Sequence, residues 1–210
     1  LRDNYRTTLQ SAMALAVLFV GISGALGGLL SEGASPILYI ISMAVGSVAG
    51  EFLRIEERLE SLGANLEAKL PPTKGDNPGF ARGFVAASLL YCVGTMAVMG
   101  SIESGVNGNH SILYAKSLLD GIVSIVMAST LGYGVVFSAA SVFIYQGILT
   151  LLAQWVSPYL TADMLREISV VGGILITAIG LNQLKLTNIK VGNIFPAMLV
   201  PVIYYLIAGN

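Results

Sequence analysis

An all-helical protein embedded in a lipid bilayer is the fold this sequence predicts, and three observations carry the prediction. Hydrophobic residues make up 55% of the 210 positions and charged residues 11%, against about 25% charged in an ordinary soluble domain. One core of this size has no room for so much apolar side chain, whereas lipid is itself an apolar solvent. The apolar residues also fall in runs near the roughly 20 residues that a helix needs to cross the hydrocarbon core. Finally, the 24 glycines suit helices packed closely inside a membrane. The whole chain, 1–210, reads as a single transmembrane domain.

Seven segments reach spanning length or approach it: 8–30, 36–53, 80–101, 112–131, 133–156, 165–183 and 191–208. Only "LGYG" separates the fourth from the fifth, so a tight glycine turn is expected there. In the seventh, Pro196 and Pro201 free backbone carbonyls and predict a kink. The chain opens "LRDNYR" without Met, so Leu1 reads as an internal residue of a longer chain.

Basic residues outside the spans set orientation. With the N-terminus inside, Arg2, Arg6, Arg54, Arg58, Lys69, Lys74, Arg82, Lys185 and Lys190 all fall on the cytoplasmic side, and Arg166 falls outside. The longest connection, 54–79, opens as a charged helix in which Leu53, Leu59, Leu62 and Leu66 recur at near-helical spacing, and Pro71-Pro72 ends it. It reads either as an amphipathic helix lying on the membrane or on neighbouring loops, or as an arm that binds a partner.

Spans one and two, "LAVLFVGISGALGGLL" then "ILYIISMAVGSVAGEF", echo spans six and seven, "GGILITAIGLNQLKL" then "VGNIFPAMLVPVIYYL". An odd displacement of five spans makes the two pairs cross in opposite directions, which is the arithmetic of an inverted repeat. Such a repeat calls for one more helix before Leu1. Gly24/Gly28 and Gly46/Gly50 form small-residue faces for helix contacts within or between subunits, and a homo-oligomer is expected.

The fourth span, "YAKSLLDGIVSIVMAST", carries Lys116 and Asp120 four residues apart, close enough to pair. Tyr114, Ser117, Gly121, Ser124 and Ala128 share their broad face, while Leu118, Ile122, Ile125 and Val126 form an apolar one. At a rise of about 1.5 Å per residue, Lys116 lies only about 6 Å inside the span and can extend outward. Asp120 lies about 12 Å in by the same rise and has no such reach. An ionised carboxylate at that depth costs at least about 2.5–3.5 kcal/mol unless it is paired or hydrated. Asp120 is therefore the leading candidate for an ion- or solute-sensitive group, with Lys116 as its partner. The bland alternative is a sealed pair, or a protonated Asp120 on a backbone carbonyl.

Further polar candidates for lining a path are Ser117, Ser124, Gln146, Asn182 and Asn193, with Glu103 in the run "TMAVMGSIESGVNGNHS". That run reads as an outer loop or as a segment dipping back into the bilayer. Glu51 sits at the cytoplasmic end of span two.

Several function classes have no support. A lone Cys92 and a lone His110 supply neither a disulfide framework nor a metal set, and no cofactor is expected. No basic cluster points to nucleic acid. Lys116 and Ser117 are adjacent and point apart, which is wrong for a Ser–Lys nucleophile, so no enzyme is expected.

The elements "GSI..G", "KSLLDG", "ASTLG.GV.FSA", "YQG" and the closing "GLN....I.VGN..PA" extend over nearly the whole chain. In these the sequence resembles a bacterial inner-membrane family, domain of unknown function 554. The resemblance implies a multi-pass protein of the cytoplasmic membrane with one further N-terminal helix, hence eight spans, and brings no activity with it. The reading is then a small transporter or channel for a solute or ion, running past Asp120 and Lys116. The alternative is a non-transporting scaffold or sensor acting through 54–79.

Overall fold

The computed structural model describes residues 3–68, 80–93 and 95–208, and every regular element among them is helical. Helix α1 (Asp3–Leu29) is followed by α2 (Pro36–Leu53), which starts on a proline, a residue pre-set for a first helical turn. The chain turns at Arg54, with φ of 49°, into α3 (Ile55–Ala68). After the undescribed stretch come α4 (Phe80–Cys92), α5 (Thr95–Asn107), α6 (Ser111–Leu131) and α7 (Gly134–Leu151). The short α8 (Ala153–Val156), the long α9 (Ala162–Gln183), α10 (Val191–Ile194) and α11 (Leu199–Ala208) complete the order.

Among the described residues, five helices are long and apolar enough to cross a bilayer: α2, α6, α7, α9 and the part Ser11–Leu29 of α1. The expected third and seventh spans come out differently. Where one helix over 80–101 was predicted, α4 and α5 meet at 59°. Helix also continues to Asn107, through the run read from sequence as a loop or re-entrant segment. Its Gly105 serves packing, since a Cβ there would overlap the Thr150 carbonyl oxygen and Ala153. The seventh segment is a shorter apolar run, Val191–Ile207, interrupted by a 3-10 turn at Phe195–Met198. Pro196 falls inside that turn, where its missing N–H and its ring disfavour a continuous α-helix.

The "LGYG" connection is the tight turn its glycines suggest. Gly132 closes α6 at φ 82°, a conformation that favours glycine, and its N–H returns to the Ala128 carbonyl. Helix α9 begins at Ala162 because Thr161 caps it, with its hydroxyl accepting from the Met164 N–H at 3.1 Å.

Helix α9 is the most buried of the spanning helices and α6 the least. The main core joins α9 (Val171, Leu175, Ile179) to Phe84 and Leu89 of α4, Val17 of α1 and Met198. Helices α1 and α9 run antiparallel, with Gly28 on Val170, Gly21 on Thr177 and Gly180 on Leu18. Helix α2 lies likewise against the last segment, Gly46 on Ala197 and Gly50 on Asn193. The two small-residue faces are thus used inside the chain, where they let backbones approach closely.

Arg54, Arg58, Arg82, Lys185 and Lys190 mark one end of the bundle, here termed the basic end. There α3 packs on α4, Gly63 over Ala81, with Leu59 and Leu66 against the core and Leu62 exposed. The remainder of the expected 54–79 segment, with Lys69, Pro71, Pro72 and Lys74, lies outside the described residues, as do Leu1 and Arg2.

Candidate functional site

The fourth apolar run folds as one continuous helix, α6, so the four-residue spacing of Lys116 and Asp120 becomes adjacency on one face. The Lys116 ammonium donates to the Asp120 carboxylate. It also stands 5.9 Å from the centre of the Tyr91 ring, within range of a cation–π attraction. The lysine side chain is 9% exposed and the aspartate 28%, so the cation is sealed and the anion is accessible from one side. On the far face Leu118, Ile122 and Ile125 are exposed, as a lipid-facing surface requires.

That accessible side is a cavity of about 360 Å³ lined by both Lys116 and Asp120. It lies in the angle between α4 and α5, with Leu90, Tyr91 and Val93 before the bend and Met96 and Ala97 after it. A straight helix would carry its backbone on through that angle. Helices α1 and α9 close the opposite wall, meeting closely at Gly173, where a Cβ would overlap the backbone of Ala25. Apart from the charged pair, Tyr91 and Ser169, the lining is apolar. Val20, Met96 and Leu119 on its rim are exposed, so the cavity opens sideways on the surface of the chain. Its size is that of a pocket for a small molecule. A carboxylate with one oxygen on a buried ammonium can take up a proton or cation from such a space. Equally, it can release the ammonium to an anionic group.

The other polar candidates are dispersed. Ser124 donates to the Tyr91 hydroxyl at 2.8 Å, which places it one contact from the pair. Ser117 is exposed and turned back on the Tyr114 carbonyl at 2.9 Å. Glu103, near the end of α5, accepts from Asn107 at 3.0 Å. Gln146 lines no part of this cavity, and its Nε2 is buried without a hydrogen-bond partner among the described residues.

Asn182 and Asn193 stand at the basic end. Asn182 donates to the Ile189 carbonyl at 2.7 Å and accepts from the Ile189 N–H at 2.9 Å, pinning the loop after α9. Asn193 donates to Glu51 at 2.6 Å and accepts the Glu56 N–H at 2.7 Å, tying α10 to α2 and α3. Glu56 in turn accepts the Gly192 N–H at 2.5 Å. Burial raises the Glu56 carboxyl above its ordinary value, the Gly192 bond opposes that rise, and the nearby Glu60 charge adds to it.

Two features escaped the sequence reading. Tyr91 couples Lys116 to Ser124, and nothing in an apolar run around a tyrosine distinguishes that role. Glu167 in α9 is 1% exposed, accepts the Ser35 N–H at 3.1 Å and lies 3.7 Å from Arg166, yet its Oε2 has no partner among the described residues. Its signal was a carboxylate six residues past a threonine cap in an otherwise apolar run. Among the described residues no group of three or more His, Cys, Asp or Glu side chains could hold a metal ion.

A cavity and a charged pair describe a place without naming a protein, and comparison with known proteins supplies the kinship. The chain is similar to a protein of Bacillus subtilis (strain 168) described as the uncharacterized membrane protein YdfK, at 34% identity over 201 residues, covering 96% of this chain and 83% of that one. It is similar to the uncharacterized protein YqgA of Escherichia coli (strain K12) at 28% identity over 202 residues, covering 95% and 84%. No solved structure matches it. With its helices apolar enough to cross a bilayer and the family profile matching residues 1–206, the chain is a membrane protein of the family described as protein of unknown function, DUF554.

Proposed function

We propose that the protein carries a small solute or ion across the bacterial cytoplasmic membrane, past Lys116 and Asp120. The observation that carries this reading is that the pair borders a cavity of about 360 Å³, onto which the 28% exposed Asp120 carboxylate opens. A buried ion pair is a poor device for stability, so its placement on a cavity favours use over architecture. The gathering of basic residues at one end supports that end as the cytoplasmic one. The antiparallel pairing of α1 with α9, and of α2 with the last segment, supports the inverted repeat, an arrangement that alternating-access carriers use. A homo-oligomer belongs to the same reading, supported now by the exposed rim of the cavity, since the glycine faces are occupied within the chain.

The test is flux into liposomes holding the purified full chain, with protons, sodium, potassium and small amino acids as probes. Asp120→Asn is run beside the double replacement Lys116→Met with Asp120→Leu, which leaves no buried charge without a counter-charge. Both are expected to lower flux at least tenfold at equal recovery of folded protein. Flux equal to that of empty liposomes for every probe, or unchanged in both variants, overturns the proposal.

A further inference from the structure

A second cavity, of about 210 Å³, lies at the basic end, lined among others by Glu56, Arg82, Asn182 and Gln183. The Gln183 Nε2 is buried and has no hydrogen-bond partner among the described residues. Buried donors are almost always satisfied, so this one points to a polar occupant of the cavity it lines.

The walls of this cavity continue, helix by helix, into those of the pair cavity. On α4, Ala86 and Leu89 line the first and Leu90 the second. On α9, Ile179 lines the first and Ile176 the second. On α6 the order is Leu131, then Val123. The partition is thus one helical turn thick on α9, about 5 Å. It is made of apolar side chains, and Leu89, Ile179 and the intervening Met127 are all buried.

We propose that the two cavities are successive stations of one route, and that the Leu89–Ile179 layer is the barrier closing the basic-end vestibule from the pair. The route takes a small polar or charged species, because its inner station is walled by carboxylate, guanidinium and amide groups and its outer one by Lys116 and Asp120. An apolar constriction of this kind stops a hydrated species by excluding its water. Passage requires the layer to part. This inference rests on the transport reading for its purpose, but its test does not measure transport.

In the full chain carrying Cys92→Ser, single cysteines are placed in the vestibule (Ala86→Cys) or in the pair cavity (Val123→Cys). A membrane-impermeant cationic methanethiosulfonate is added to the basic face of sealed vesicles. With the layer intact, the cysteine at 86 is expected to react at least tenfold faster than the one at 123. Ile179→Ser, or the smaller Leu89→Ala, is expected to raise the rate at 123 at least tenfold with the rate at 86 unchanged, which also reports an intact fold. Equal rates at 86 and 123 with the layer intact overturn the barrier. No gain at 123 in either layer variant, while 86 still reacts, overturns the connection. Failure of 86 to react from the basic face overturns the vestibule. If 123 opens as expected while liposome flux is nil for every probe, the route stands and the transport reading falls.

Discussion

Lys116 with Asp120 in α6 and Arg166 with Glu167 in α9 are both charge pairs on spanning helices, and they are built in opposite ways. Arg166 and Glu167 are bound into the backbone around them. Glu167 holds the Ser35 N–H, while Arg166 donates to the Glu32 carbonyl at 3.0 Å and the Gly33 carbonyl at 2.7 Å. Together they fasten the α1–α2 turn onto the start of α9. Lys116 and Asp120 bond only to each other among the described residues, within one helix, and face a cavity. A charge bound to distant backbone groups is part of the fold. A charge whose one ionic partner rides on its own helix supplies nothing that the fold needs, and it keeps its lone pairs free for something else.

The largest effect should come from breaking the fastened pair. Glu167→Ala leaves the Ser35 N–H unbonded and removes the buried carboxylate beside Arg166, whose guanidinium keeps Asp163 at 2.6 Å, and should cost about 1–3 kcal/mol. Reversible unfolding in detergent measures it, and a loss below about 1 kcal/mol would place Glu167 outside the architecture and erase the contrast with Asp120. Next, the double replacement Lys116→Met with Asp120→Leu should leave stability within about 1 kcal/mol of the parent, because a well-filled apolar substitute matches a buried ion pair. The corresponding double replacement Arg166→Met with Glu167→Leu should stay destabilised, since the Glu32 and Gly33 carbonyls lose their donors. Equal losses in the two double variants would mean that both pairs are architectural.

A smaller change sharpens the surroundings of the first pair. Ser124→Ala removes the bond to the Tyr91 hydroxyl and should cost about 0.6 kcal/mol, the usual worth of a polar contact between membrane helices. A cost several times larger would tie Tyr91, and through it Lys116, into the fold after all. The smallest effect concerns Glu56, the half-buried carboxylate at the basic end. Its carboxyl is raised, so the folded protein holds that proton more tightly than the unfolded chain does. The corresponding stability is complete below the ordinary carboxylate range and is lost as pH rises through the folded value. Unfolding free energy should therefore decline just above that range, and Glu56→Gln should flatten the decline. Superimposable pH profiles would put Glu56 in water.

The Lys116–Asp120 pair was legible because adjacency four residues apart on a helix is a local property, settled once the run is helical. So were the glycine turn at "LGYG" and the break at Pro196, each written into the backbone chemistry of one or two residues. Glu167 and Arg166 were not legible as a fastening, since the Ser35 N–H bonded by the one and the Glu32 and Gly33 carbonyls bonded by the other lie more than a hundred positions away. The bend between α4 and α5 was missed for a related reason. The run 80–101 is apolar throughout, and hydropathy carries no sign of a change in direction.

By itself the sequence determined that this protein belongs in a bilayer, that its apolar runs are helical, and that one cation and one anion share a face of α6. Those properties add up along the chain or depend on neighbours within a turn. Only the tertiary structure decided that this face meets a cavity, that the glycine faces pack inside the chain, and that Asn182 and Asn193 serve the basic end. Each of these depends on which distant backbones approach closely enough to touch. That approach is set by the combined shape of several helices, with Gly46 on Ala197 and Gly50 on Asn193 among its close points, and no single segment contains it.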